Sequence, residues 1–163
     1  MYLPYYSHFK HGFEPWKILF IFAGGIIFWT LFEYLMHRFF FHLAAQSNRT
    51  RRVIYVMHGN HHEFPRDRER LFMPPIPSLL ISSLLFLMMY LVIGKNALAF
   101  FPGFILGYLI YGSMHFAIHA WKPPFKWMKP LWQNHYLHHY KNDEKGFGVS
   151  TILWDKIFGT SFN

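Results

Sequence analysis

Three apolar runs in this 163-residue chain are each long enough to cross a bilayer. The first extends from about Trp16 to Met36, the second from about Ile76 to Ile93, and the third from about Ala97 to Phe116. A helix rises about 1.5 Å per residue, so about 20 residues cover a hydrocarbon core about 30 Å thick. The four residues "GKNA" join the second run to the third. So tight a connection predicts an antiparallel hairpin with both outer ends on one membrane face. Residues 1–15 form a short N-terminal segment, and "MYLPYYSHFKHGFEP" has aromatics, Pro and an acid where a cleavable signal would carry a basic region and a cleavage site.

Composition agrees with lipid surroundings. Hydrophobic residues make up 53% and charged residues 15%, where a soluble domain carries about a quarter charged. The formal charge is +8, but its placement argues against nucleic acid. Thirteen of the sixteen Lys and Arg fall between Arg38 and Arg70 or between Lys122 and Lys156, beside the apolar runs. This is the positive-inside pattern, which assigns those segments to the cytoplasmic side. No nucleic-acid motif accompanies the charge, and the serine-hydrolase and P-loop signatures are missing too. With no cysteine, disulfides and thiolate metal sites are excluded.

Histidine is the ligand that remains. His37 and His42 follow the first run, His58, His61 and His62 lie before the second, His115 and His119 end the third, and His135, His138 and His139 follow it. If the first run crosses fully, all ten emerge on the basic face, while His8 and His11 are read as ordinary surface residues of the other. "HGNHH" and "HYLHH" both spell H-x-x-H-H. Offsets of three and four return to nearly the same helical face, so the three rings of each triplet are expected to point inward together. His115 and His119 are four apart. His37 and His42 are five apart, which a regular helix would splay, so a helix end or local distortion is expected there. Sixteen residues separate His42 from His58, and sixteen separate His119 from His135. Each half thus offers a pair and then a triplet in the same order, and both are read as contributions to one centre. Ten histidines exceed one ion; two ions with about five ligands each fit the count. Imidazole suits Zn, Cu, Fe and Ni.

"HRFFFH", "HGNHHEFPRDRERLFMPP", "HFAIH" and "HYLHHYKNDEKGFGVSTILWDKIFGT" resemble the histidine boxes of the fatty acid hydroxylase and sterol desaturase superfamily over about residues 29–160. "FEYLMHR", "FPRDRERLFMPP" and the "GFGVSTILWDKIFGT" ending are most similar to the fatty acid 2-hydroxylases. The resemblance implies a single all-α integral membrane domain over residues 1–163. About three spans would carry a cytoplasmic histidine-rich helical cap. It also implies that the ten box histidines ligate two Fe ions, with O2 as co-substrate, in an oxidoreductase of lipid biosynthesis. The reaction implied is hydroxylation of a fatty acyl chain at the carbon next to the carbonyl. Redox chemistry requires a redox metal, although zinc is able to replace iron in a purified sample. Relative to larger family members the chain shows no fused haem domain, so a separate electron-transfer protein is expected as partner. The expected location is a prokaryotic inner membrane, or the endoplasmic reticulum in a eukaryote.

Supporting residues follow from chemistry. Metal-bound imidazoles donate their second N–H to a carboxylate or carbonyl. Glu33, four residues before His37, is the first candidate, and Asp143, Asp155 and Glu63 are others; a solvated or capping acid is the alternative for each. Arg66, Arg68 and Arg70 are candidates for a substrate carboxylate or for anionic lipid at the interface. Gly103 and Gly107 suggest close helix packing, with room for an acyl chain as the alternative, and the "GFG" of residues 146–148 suggests an irregular backbone near the site. Trp154 and Phe158 are expected to anchor the tail at the interface. Two alternatives share part of this pattern: a desaturase or a sterol or carotenoid hydroxylase with the same cofactor, and a membrane metal transporter. Transport would place ligands near the bilayer midplane, whereas these gather at one end.

Overall fold

In a computed structural model, which describes residues 2–67, 71 and 73–162, every regular element among the described residues is helical. In chain order these are α1 (Tyr2–His11), α2 (Pro15–Leu35), α3 (Asn48–Ile54), α4 (Asn60–Glu63), α5 (Pro75–Ile93), α6 (Ala97–Ala120), α7 (Lys129–Tyr140) and α8 (Leu153–Ile157). Two π-helical stretches, Met36–Phe41 and Tyr55–Gly59, follow directly on α2 and α3. Two compact units are distinguishable: Met1–Trp29 with Met73–Leu109, and Thr30–Phe72 with Ile110–Asn163.

The first unit is built from apolar helices. Two helical segments are long and apolar enough to cross a membrane, Pro15–Phe41 and Pro75–Ala120, with mean hydropathy 2.0 and 2.3. A straight 46-residue helix would measure about 69 Å, over twice the hydrocarbon thickness. Instead a 3₁₀ turn at Gly94–Asn96 breaks it, with Gly94 at φ 57°, a left-handed conformation that favours glycine. Phe86 then meets Phe101 at 5.1 Å between ring centroids, and the hydroxyls of Ser78 and Tyr108 lie 3.5 Å apart. Because one partner's number rises as the other's falls, α5 and α6 are antiparallel. α2 pairs with α6 in parallel, since Phe28 meets Phe100 and Trp29 meets Phe104. At this crossing a methyl on Gly103 would fall on the Phe22 carbonyl, and one on Gly25 on the Phe100 carbonyl. Gly107 faces Trp29. Packing is thus the role of Gly103 and Gly107, with Gly25 completing the contact. α5 buries none of its side chains, and Leu79, Leu80, Leu87, Leu91 and Val92 are exposed. A helix apolar on every side with this much bare hydrocarbon has the surface of a lipid-facing element.

The second unit has a different core. Its buried residues include His37, His58, His61, His115, His135 and His138 beside Tyr34, Phe147, Val149 and Asp155. Local chemistry shapes its elements. Ser47 caps α3 by accepting the Thr50 N–H at 3.1 Å, a contact that satisfies one of the orphan donors of a helix start. Pro130 in the first turn starts α7, where a missing N–H costs nothing. The tail is tied down by specific contacts: Trp154 donates to the Thr30 hydroxyl at 3.0 Å, and Phe158 stacks on Tyr34 at 5.3 Å. An indole N–H that leaves water needs such an acceptor, and these contacts tether the tail to residues 30–34 while Phe158 stays exposed.

Candidate metal centre

The ten box histidines come together in the second unit as two groups of five. One contains His37, His42, His58, His62 and His138; the other contains His61, His115, His119, His135 and His139. Within each group the ligand nitrogens lie within 4.8 Å of one another. Four of the five in each group come from one half of the chain and one from the other: His138 crosses to the first group and His61 to the second.

This splits the triplets, which were expected to face one point. Residues four apart on a helix differ by about 40°, but neighbours differ by about 100°. His58 and His62 therefore share a group while His61 turns to the other, and His135 and His139 leave His138 in the same way. The five-residue spacing of His37 and His42 is met by the π-helical turn Met36–Phe41, whose i→i+5 periodicity returns the chain to one side after five residues. The two rings sit 5.1 Å apart between centroids. A second π-helical turn, Tyr55–Gly59, carries His58. Its spacing left no mark in the sequence.

The geometry fits metal ions. In the first group the Nε2 atoms of His37 and His62 approach that of His58 at 3.0 and 2.9 Å, and His138 approaches His62 at 3.2 Å. In the second group His119 and His139 approach His135 at 2.8 and 3.1 Å, and His61 approaches His139 at 3.1 Å. Imidazole ligands at about 2.1 Å from an ion lie about 3.0 Å apart when adjacent at right angles and about 4.2 Å apart when opposite. The groups adjoin, for the rings of His62 and His139 stack at 4.2 Å.

Protonation supports the same reading. The Nδ1–H of His37 donates to the Phe147 carbonyl at 2.5 Å, and that of His138 to the Lys145 carbonyl at 2.7 Å. Each Nε2 therefore presents a lone pair to its group. Burial and neighbouring imidazoles hold His58 and His135 well below the ordinary histidine range. Burial places His61 at about 3, His62 at about 2 and His138 at about 4, the last against opposing contributions from the Lys145 carbonyl and Asp143. His139 is lowered by the same burial and by His62, while His42 is lowered by burial and raised in part by Asp143. These rings are neutral at pH 7, the form in which imidazole binds metal. His42 Nε2 and His115 Nε2 are buried without a hydrogen-bond partner among the described residues.

The acids stand one layer out. Glu33, buried, accepts the N–H groups of Val149 and Ser150 at 2.7 and 2.9 Å and the Ser150 hydroxyl. Asp155, fully buried, accepts from Phe147 N–H, Gly148 N–H, the Thr160 hydroxyl and the Asn134 amide. The ring nitrogen of His37 that the spacing assigned to Glu33 thus bonds the Phe147 carbonyl, and the two carboxylates clamp the 147–150 backbone. Arg38 donates to the Tyr34 hydroxyl, which donates to Thr160, extending the Asp155 network. Asp143 lies 3.7 Å from His42 Nδ1. Glu63 accepts from the Tyr55 hydroxyl at 2.5 Å and is exposed. Arg66 lines a cavity beside His119 and His135, whereas Arg68 and Arg70 lie outside the described residues. Sequence reasoning missed Asn134, Thr160, and the carbonyls of Lys145 and Phe147; only the glycines of "GFG" pointed to that loop.

A family model described as fatty acid hydroxylase matches residues 22–160. The chain is 38% identical over 141 residues to a dihydroceramide fatty acyl 2-hydroxylase of Arabidopsis thaliana, covering 86% of this chain and 60% of that protein. It is 35% identical to a fatty acid 2-hydroxylase of Mus musculus (86% and 39% covered) and 39% identical to a ceramide very long chain fatty acid hydroxylase of Saccharomyces cerevisiae (86% and 38% covered). A solved structure of full-length Scs7p, with only the hydroxylase domain visible, superposes with a TM-score of 0.90 at 34% identity over 99% of this chain and 62% of that one. The chain spans about two fifths to three fifths of the length of these curated relatives.

Proposed function

Because this chain belongs to the fatty acid hydroxylase family, we propose that it is a membrane-bound di-iron oxygenase. Its reaction is hydroxylation of a fatty acyl chain at the carbon next to the carbonyl. The observation that carries this reading is the pair of five-imidazole groups, each completed by a histidine from the other half. One iron would be held by His37, His42, His58, His62 and His138, the other by His61, His115, His119, His135 and His139. The metal pair supplies the redox chemistry that couples reduction of O2 to oxidation of an acyl C–H bond to an alcohol.

The chain's own residues supply orientation. Phe147 and Lys145 carbonyls fix the Nδ1–H tautomers of His37 and His138, which aims both lone pairs and raises their basicity. Glu33 and Asp155 hold the loop that carries Phe147. Burial keeps the imidazoles unprotonated, so they serve as ligands and not as acid–base groups.

In this reading the chain forms one hydroxylase-like domain with three spans, and the positive-inside pattern supports a cytoplasmic position for the basic segments and the histidines. The membrane is a prokaryotic inner membrane, or the endoplasmic reticulum in a eukaryotic cell. An electron-transfer protein delivers the reducing equivalents. Expression with and without His58→Ala, reading bound iron and hydroxylated membrane lipids together, tests the assignment. The variant is expected to lose the iron of its own group together with the hydroxylated product, and a variant that keeps both refutes it.

A further inference from the structure

A cavity of about 330 Å³ opens beside the second histidine group, with His119 and His135 forming part of its wall. Arg66, Lys129, Gln133 and Tyr136 also line it. Lys129, Gln133, Tyr136 and Tyr140 recur at intervals of four and three along α7, which sets them on one helical face. Arg66 arrives from the turn after α4, closed by the Asp67 N–H on the Phe64 carbonyl at 3.0 Å. Among the described residues that line it, none is a carboxylate. The wall therefore carries two fixed cations, an amide and phenols within reach of the ligands of one candidate ion.

Resting on the hydroxylase reading above, we infer that this cavity binds the acyl substrate's polar end and selects an anionic carboxylate over a neutral amide. When the carbon next to the carbonyl reacts, the head group is one bond from the reacting atom and must sit against the metal ligands. A recess of this volume is about 9 Å across if round, at the small end of ligand pockets, so Arg66 and Lys129 lie close to whatever occupies it. A guanidinium offers paired N–H donors matched to the two oxygens of a carboxylate. An amide has one acceptor oxygen and no charge, and it brings N–H donors toward a wall already rich in donors. A phosphate remote from the reacting carbon, as on an acyl thioester carrier, would extend beyond so small a recess.

The test compares hexadecanoic acid with hexadecanamide, which share a chain and differ in the head. Binding to the metal-loaded protein in lipid nanodiscs is measured at pH 8, for the unsubstituted chain and for Arg66→Gln with Lys129→Gln. Both residues are exposed, so folding is expected to survive. Metal per chain and the melting temperature report on that directly. Charge-assisted hydrogen bonds predict a roughly ten- to hundredfold preference for the acid. The double variant should lose that preference with unchanged amide binding and metal content, and Arg66→Lys should keep part of it. Partition into the nanodisc cancels when variants are compared. Equal binding of acid and amide by the unsubstituted chain overturns the inference, and so does a double variant that retains the preference. Hydroxylated product and bound iron separate the two readings: with neither present the hydroxylase assignment fails, whereas product formed without head-group preference removes only this inference.

Discussion

Replacing Asp155 with Ala should damage the metal centre although the side chain touches none of its ligands directly. The carboxylate is fully buried and accepts from Phe147 N–H and Gly148 N–H, both at 2.9 Å, from Thr160 at 2.7 Å and from Asn134 at 3.2 Å. Thr160 and Asn134 can reorient, but the two backbone donors cannot. Each buried donor left unsatisfied costs about 1–3 kcal/mol, so the pair costs about 2–6 kcal/mol, a large share of the ~5–15 kcal/mol that holds a typical domain. The Phe147 carbonyl then loses its fixed position, and His37 loses the acceptor for its Nδ1–H. Loss of such an outer partner typically weakens metal binding about 10–100-fold. The assay is competition for Fe(II) or Zn(II) against a chromophoric chelator, with thermal unfolding of the same preparations. Asp143→Ala is the comparison: that acid is exposed and 3.7 Å from His42, so a change of a few-fold at most is expected. A folded Asp155→Ala chain with unaltered metal affinity would refute the reasoning, as would greater damage from Asp143→Ala.

Three further outcomes are expected. His138→Ala should remove metal from the group of His37, His42, His58 and His62 while sparing the other, and His61→Ala should do the converse; metal stoichiometry in each variant and in the double variant checks this. The metal-free chain should lose stability as pH falls below about 6.5. The unfolded chain takes up protons near that value, whereas folded His61 and His138 stay neutral to about 3 and about 4. The unfolded state thus binds more protons across the window from about 6.5 down to 4, and stability rises with pH there; melting temperature against pH reads the slope. Gly103→Ala should destabilise by about 1–3 kcal/mol or more, because the added methyl meets the Phe22 backbone. Gly24→Ala, whose methyl would meet only Phe100 at 4.0 Å, should be near neutral by the same thermal assay.

What the sequence disclosed follows from which interactions are local. The offset of five between His37 and His42 demanded a distortion, and the π-helical turn supplies it. The apolar runs and "GKNA" gave the helical hairpin because span length and turn length are properties of contiguous residues. The division of each triplet follows from 100° per residue, since offsets of three and four fall on opposite sides of the first ring. The carbonyls of Phe147 and Lys145 were invisible for another reason, since every residue has a carbonyl and its aim depends on a loop closed by residues far away. Glu33 reaches Ser150 across 117 positions. Nothing in the spacing of Glu33 to His37 announces that partner.

The two groups are matched in ligand count but not in their support, and this predicts an order of metal loading. In the first group the Nδ1–H of His37 and of His138 each have a carbonyl, and His42 Nδ1 has Asp143 nearby. In the second, Nδ1 of His61, His115, His135 and His139 are buried without a hydrogen-bond partner among the described residues. An oriented ligand of fixed tautomer gives up less freedom on binding and is more basic. A buried N–H with no acceptor carries a desolvation penalty whether or not its ring binds metal. The first group should therefore take the first equivalent, about 10–100-fold more tightly than the second group takes the next. Stepwise titration of the metal-free chain should give two phases, with His42→Ala abolishing the tighter phase and His115→Ala the weaker. The reverse assignment, or two equal phases each lost to its own variant, would show that carbonyl support does not set the affinity of these imidazoles.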